Sequence, residues 1–364
     1  MLKQLQIFFD FLRFCIGSGD EIPESLKEVD WKDLYAIAKK QCLVGVLFDG
    51  IKKLPAEYVG MKKELLLQWM AESQMLEKAN VRLNDAAIQV SEWFRKKGFR
   101  TCILKGQGNA LMYPNPYSRT PGDIDIWVEG EDKRVISFVR SISPHEKACY
   151  HHIEFPSYKG VEVEVHYRPS FLLCFWHNRK FQKYYERVKE EQFSHRVMLG
   201  EQGEIAIPTV EFNLIFQLTH IFSHLMNEGI GLRQLLDYYY VLISDDLLLI
   251  RDRVQKKLKH LGLWKFALAV MFVMKEVFGL SEDRMIAPMD EKEGRFLLDE
   301  IMRGGNFGQY DDRKGSKVDE SKIHRYFRMN LRNLRFVKHY PTEAVCEPVF
   351  RTWFAGWKFI NRIK

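Results

Sequence analysis

The sequence predicts an α+β protein in which a small β-sheet, at about 98–207, separates an amino-terminal helical unit (1–97) from a carboxy-terminal helical one (208–364). Two observations carry this. Apolar residues recur at helical spacing over nearly all of the first and last parts of the chain, and the period switches to two in the middle, most clearly in Gly122-Asp-Ile-Asp-Ile-Trp-Val128 and Val161-Glu-Val-Glu-Val-His166. At 364 residues with 46% apolar content, the chain has enough material for more than one packed unit.

Leu2, Leu5, Phe8, Phe9, Leu12 and Ile16 share one helical face, while Lys3, Asp10 and Arg13 interrupt what would otherwise pass for a secretory leader. We therefore expect a first amphipathic helix and a mature chain starting near Met1. Further helical faces follow through Trp31, Leu34, Ile37 and Ala38, then Val44, Leu47 and Phe48, and then a long pattern from about Met61 to Lys97. Breaks fall at Gly17–Gly19, at Pro23 and around Pro55.

From Phe99, the run FRTCILKG reads as a strand ending in Lys105-Gly106, and a helical or irregular stretch leads to the 122–128 strand. A short helix is expected at 131–142. Strands at 148–155 and 161–168 are joined by Pro156–Gly160, which suits a hairpin. After Pro169 come a helix at 179–194, a β-like connection at 196–207, and helices over 209–244, 247–280, 291–303 and 321–340, with a flexible loop from Gly304 to Ser316.

Six scattered cysteines, without any C-x-x-C pair, indicate neither a zinc site nor a disulfide framework and fit a reducing cytoplasm. No apolar run is long enough for a membrane span. The net charge of +7 is matched by the tail 311–364 alone, which holds 13 Lys/Arg against 6 Asp/Glu. There, Lys322, Arg325, Arg328, Arg332, Arg335 and Lys338 alternate with Tyr326, Phe327, Leu331, Leu334 and Phe336, giving one basic and one apolar face. Without base-reading motifs we take this for a solvated surface helix, with nucleic acid as the less favoured partner.

Alternate strand residues face the same way, so Asp123 and Asp125 project together, as do Glu162, Glu164 and His166. Anions gathered on one side repel unless a cation neutralises them, and a carboxylate set calls for a hard divalent ion such as Mg²⁺ or Mn²⁺. Nucleotidyl transfer uses such a cluster, with paired ions clamping both ends of an in-line displacement. Lys105 and Gly106, just upstream, are placed to receive phosphate oxygens through an ammonium and through backbone N–H groups, and Arg119 is a further phosphate candidate. Either Glu162 or Glu164 could complete the carboxylate set.

The order strand, Lys-Gly turn, helix, Gly-Asp-Ile-Asp-Ile, then a later strand with Glu resembles the nucleotidyltransferase superfamily typified by DNA polymerase β and the kanamycin-type antibiotic nucleotidyltransferases. More closely, ILKG at 103–106, Tyr113, Arg119, GDIDIWV at 122–128, VEVH at 163–166 and HIFSHLMNEGIGLRQLLDY at 220–238 resemble the bacterial family called uncharacterised nucleotidyltransferases. The resemblance runs from the Trp31 helix to about Asp237. It implies a mixed sheet flanked by helices, an NTP such as ATP as substrate, Mg²⁺ bound by Asp123, Asp125 and Glu164, and Arg233 as a further triphosphate or substrate contact. The superfamily's usual Gly-Ser or Gly-Gly pair is Lys-Gly here, and the gap from Gly106 to Asp123 is longer than in its smallest members.

The expected activity is transfer of NMP to a hydroxyl of a small molecule or a protein. The alternative is a non-catalytic nucleotide-binding or partner-binding protein that keeps the fold. His220 and His224, four apart on a helix, lack the glutamate of H-E-x-x-H and read as cleft-lining or hydrogen-bonding residues. Arg233 and Asp237 could be a simple i,i+4 pair, and His151, His152 and His166 solvent-facing strand residues.

Overall fold

The computed structural model describes residues 2–19, 21–201, 203–314 and 322–360. Helices α1 (Leu2–Ile16), α2 (Trp31–Lys40), α3 (Val44–Ile51) and the long α4 (Lys63–Lys96) come first. The middle of the chain forms β1 (Thr101–Ile103), α5 (Gln107–Ala110), β2 (Ile124–Val128), α6 (Asp132–Ile142), β3 (His152–Tyr158), β4 (Val161–His166), α7 (Phe175–Ser194), β5 (Arg196–Leu199) and β6 (Gly203–Ala206). Helices α8 (Val210–Asn227), α9 (Leu232–Leu242), α10 (Leu247–His260), α11 (Trp264–Phe278), α12 (Glu291–Gly304), α13 (Lys322–Val337) and α14 (Pro341–Ile360) complete it.

Strands β1, β2, β4 and β3 form a mixed sheet in that order. The central pair, β2 with β4, is parallel, and the outer pairs are antiparallel. Ile124, Ile126, Val128, Val163, Val165 and Ile153 share the face that packs on Leu83, Ala87, Val90 and Phe94 of α4 and on Val135 and Val139 of α6. This apolar layer fixes the register, since a slip by one residue would turn the carboxylates into it. The opposite face carries Asp125 and Trp127 on β2 and Glu164 and His166 on β4. Trp127 anchors that face between Phe193 and Phe212, with ring centroids 4.6 and 5.8 Å away. A second, larger core joins α1–α3 to the helices from α7 onwards.

Several boundaries differ from expectation for identifiable reasons. Strand β3 runs through Pro156 to Tyr158, tolerable because β3 is an edge and pairs with an irregular register there. The turn itself is only Lys159-Gly160, both in left-handed conformation (φ 50° and 79°), the two-residue geometry that matches strand twist. The expected helix 209–244 is two helices, because Gly229 (φ 122°) and Gly231 let the segment around Asn306–Gly308 press against the backbone. A Cβ on either glycine would meet it at 2.9 Å. The expected helix 247–280 likewise breaks at Gly262 (φ 78°). Helix α14, with Pro348 inside it, was not expected at all.

The expected loop 304–316 is partly held. Arg313 lies 2.7 Å from both Glu300 and Asp311, while residues 315 and 316 lie outside the described residues. Arg332 of the basic tail donates to the carbonyls of Leu225 and Met226 near the end of α8, so that arginine is structural. Phe336 is fully buried, whereas Phe327, Leu331 and Leu334 are exposed. Among the described residues, no helix is long and apolar enough to cross a membrane.

Candidate active site

The parallel pairing of β2 and β4 sets Asp125 directly beside Glu164. Asp125 is 2% exposed. One of its oxygens pairs with the Lys105 ammonium at 3.0 Å and the other accepts from His166 Nε2 at 2.9 Å. His166 Nε2 also lies 3.4 Å from Glu164 Oε2, so one imidazolium bridges the two carboxylates. Burial opposes charge on His166, yet hydrogen bonds to Asp125 and Glu164 outweigh it and push its pKa up to about 9. Burial likewise opposes the Asp125 anion, but Lys105 and His166 hold its pKa below the usual carboxylate value. Lys105 is the mirror case: burial disfavours its charge, while Asp125, Asp123 and Glu164 keep its pKa above the ordinary lysine value.

Asp123, at the amino end of β2, lines the same cleft as Asp125 and Lys105 and is close enough to Glu164 to act on it electrostatically. Glu162 is exposed, one strand period nearer the edge of β4. The donor chemistry fits a hard divalent cation. Asp125, Glu164 and His166 each offer a ligand atom within 4.8 Å of the others, and Asp123 adds a third carboxylate from the cleft side. In the present arrangement, Lys105 and His166 supply the positive charge that such an ion would bring.

A family model described as uncharacterised nucleotidyltransferase matches residues 27–279, more than half of the chain. The chain belongs to that family. Among solved structures, an antigenic nucleotidyltransferase-like protein from Paracoccidioides brasiliensis is similar at 13% identity, over 52% of this chain and 91% of that one. The TM-score is 0.29, too slight a likeness to carry an argument. Nothing among curated proteins matches the chain. Family membership supports a nucleotidyltransferase role in general terms.

For this nucleotidyltransferase-family chain, the Lys-Gly turn has a clear physical basis. Gly106 adopts φ 63° and ψ −106°, a conformation closed to side chains, and the turn brings Lys105 back over Asp125. Leu104 N donates to Asp125 O at 3.0 Å, which keeps the turn in register with β2. Helix α5 that follows is only four residues long, so its dipole adds little, and the ammonium is the stronger anion contact.

Arg119 lines the cleft but commits its fork to Asp237, with Nε and Nη2 each 2.8 Å from a carboxylate oxygen. Tyr113 Oη donates to the same carboxylate at 2.6 Å. The expected i,i+4 pair of Arg233 with Asp237 is therefore replaced by a long-range one, because Asp237 is buried facing the loop before β2. Arg233 instead donates to the carbonyls of Thr120 and Pro121 at 3.1 and 3.3 Å. Its Nε is buried without a hydrogen-bond partner among the described residues. Burial, then Arg119, lowers its pKa, as expected for a guanidinium facing a cleft without an anion of its own.

The histidines of β3 and β4 depart from the solvent-facing alternative that the sequence left open. His166 is buried rather than facing solvent, and His151 and His152 pack on it with ring centroids 5.2 Å away. Burial holds His151 well below the usual histidine value and His152 down to about 4. The E-x-H alternation on β4 was the available signal for His166. His220 does line the cleft, with Nε2 3.2 Å from Lys105 Nζ, and His224 packs against Phe307. Phe307, at φ 51°, lines the cleft with its ring under the Arg233 guanidinium, and the cavity there is about 30 Å³. That holds a water or two, against the roughly 300 Å³ or more of a typical ligand pocket.

Proposed function

We propose that this protein is a Mg²⁺-dependent nucleotidyltransferase that moves NMP from a nucleoside triphosphate to a hydroxyl of a small molecule or a protein. The observation that carries the reading is the meeting of Asp125 and Glu164 across parallel strands, with Asp123 and Lys105 on the same cleft. Asp123, Asp125 and Glu164 would hold the metal. Bound there, Mg²⁺ or Mn²⁺ would neutralise the triphosphate and lower the pKa of the acceptor hydroxyl.

The chain's own residues do the rest. Lys105 faces the cleft with an ammonium that a phosphate oxygen can take over from Asp125 once that carboxylate is neutralised by other means. Arg233 offers a guanidinium paired with no carboxylate among the described residues, and Gly106 and Gly122 keep side chains out of the approach. Arg119, clamped by Asp237, holds the loop that delivers Asp123. Catalysis on this plan rests on positioning and charge neutralisation rather than on a covalent intermediate.

One observation favours the second reading, a nucleotide-binding or partner-binding protein without catalysis: the cavity of about 30 Å³ must widen before a nucleotide enters. Pyrophosphate release from ATP, GTP, CTP and UTP with Mg²⁺ and a pool of hydroxyl acceptors separates the two. Release by the wild type that Asp125→Asn abolishes supports transfer. Nucleotide binding with no release from any acceptor pool supports the second reading.

A further inference from the structure

Beside the carboxylates lies a group of imidazoles that nucleotidyl transfer does not use. His151, His152 and His166 each offer a ring nitrogen within 4.8 Å of the others. His151 Nε2 and His152 Nδ1 are 3.1 Å apart, His152 Nδ1 and Glu164 Oε2 are 3.3 Å apart, and Glu164 Oε2 and His166 Nε2 are 3.4 Å apart. A tetrahedral ion with bonds of about 2.0–2.1 Å has ligand-to-ligand edges of about 3.3–3.4 Å, so His151 and His152 already approach as neighbouring ligands do, and Glu164 lies at the rim beside His152 and His166.

Hydrogen bonding leaves this cluster incomplete. His166 is 4% exposed, and its Nδ1, like that of His151, is buried with no partner among the described residues. The three rings crowd together, with centroids 4.5, 5.2 and 5.2 Å apart. A cation that takes one lone pair from each ring would draw the three imidazoles into one shell.

We propose that His151, His152 and His166, with Glu164 at the rim, form a binding site for a borderline-soft divalent cation such as Zn²⁺, distinct in chemistry from the oxygen-rich Mg²⁺ site next to it. Three imidazoles and one carboxylate select Zn²⁺ or Co²⁺ over Mg²⁺, which takes oxygen donors and keeps its waters. The backbone prepares the site: Tyr167 and Arg168 N–H both donate to His151 O, at 3.0 and 3.1 Å, which ties the residue before β3 to the end of β4. The inference shares Glu164 with the proposed catalytic cluster but does not depend on nucleotidyl transfer.

The test uses the full-length protein, stripped with a chelator and titrated with Zn²⁺ against a chromophoric chelator, and with Co²⁺ followed by its visible absorption. The expected result is one tight ion per chain, tetrahedral Co²⁺ bands, no displacement by excess Mg²⁺, and affinity lowered at least tenfold in both His151→Asn and His152→Gln. Circular dichroism identifies any variant that fails to fold, and the milder of the two substitutions then decides. Asp123→Asn should abolish pyrophosphate release yet leave Zn²⁺ binding intact, so the two proposals fail separately. Absence of stoichiometric Zn²⁺ binding, or affinity unchanged in folded His151→Asn and His152→Gln, overturns the inference.

Discussion

Asp237→Asn removes the charge from a buried ion pair behind the cleft while keeping its shape. Arg119 and Asp237 are 4% and 5% exposed and meet through two contacts of 2.8 Å. Tyr113 and Asn109 donate to the same carboxylate at 2.6 and 3.4 Å. Removing one partner of such a pair leaves the other charge stranded, which costs about 3–5 kcal/mol. Loss of the charge-assisted Tyr113 bond falls within that figure and should not be added again. By contrast, the double variant Arg119→Met/Asp237→Leu strands no charge and should recover most of the loss, falling short of the sum of the Arg119→Met and Asp237→Leu singles by about 3 kcal/mol or more. Thermal and urea unfolding of the wild type, both singles and the double measure it, with a Tm drop on the order of 10 °C for the single. A single variant costing less than about 1 kcal/mol, or additive singles, would refute the view that this pair is a buried clamp.

The same pair makes acid stability informative. Burial tends to raise the Asp237 pKa, but Arg119 and Tyr113 outweigh it and hold the folded value below the ordinary one. The stabilisation is therefore complete above the unfolded value of about 3.9 and is lost as pH falls below it towards the folded pKa; unfolding followed from pH 6 to pH 2 should show that component in the wild type and not in Asp237→Asn. Gly45→Ala should destabilise by about 1–3 kcal/mol, since its Cβ would fall 2.3 Å from the Ser118 carbonyl, a backbone group that cannot step aside; a neutral result in urea melts would contradict the close approach of α3 to this loop. Lys105→Met should leave the fold intact but lower the rate of pyrophosphate release about 100-fold or more, as loss of a buried charge contact to the transferring group does; a change in KM alone would argue for simple nucleotide binding.

Much of this architecture was legible from periodicity because the residues that set it act locally. The alternation in 122–128 and 161–166 named the sheet and its two faces, and the face bearing Asp125 and Glu164 is the one the structure brings together. What escaped was long-range or depended on backbone conformation. Asp237 chose Arg119 across 118 residues rather than Arg233 one turn away, and no spacing rule encodes that choice. The helix breaks at Gly229–Gly231 and Gly262 lie within unbroken apolar patterns, and only the close approach of another segment, or a positive φ, explains them. His151 and His152 looked like solvent-facing strand residues because alternation says nothing about what covers an edge. Phe307, which lines the cleft, lies far in the chain from the motifs that mark it.

Binding of Mn²⁺ in the presence of a non-hydrolysable NTP analogue, followed by electron paramagnetic resonance, tests most directly whether three carboxylates act on one ion. Mn²⁺ should be held by the wild type and by Glu162→Gln, and lost to a similar extent in Asp123→Asn, Asp125→Asn and Glu164→Gln. Retention of the ion by Glu164→Gln, with loss in Glu162→Gln, would contradict the assignment of β4 to the site as described.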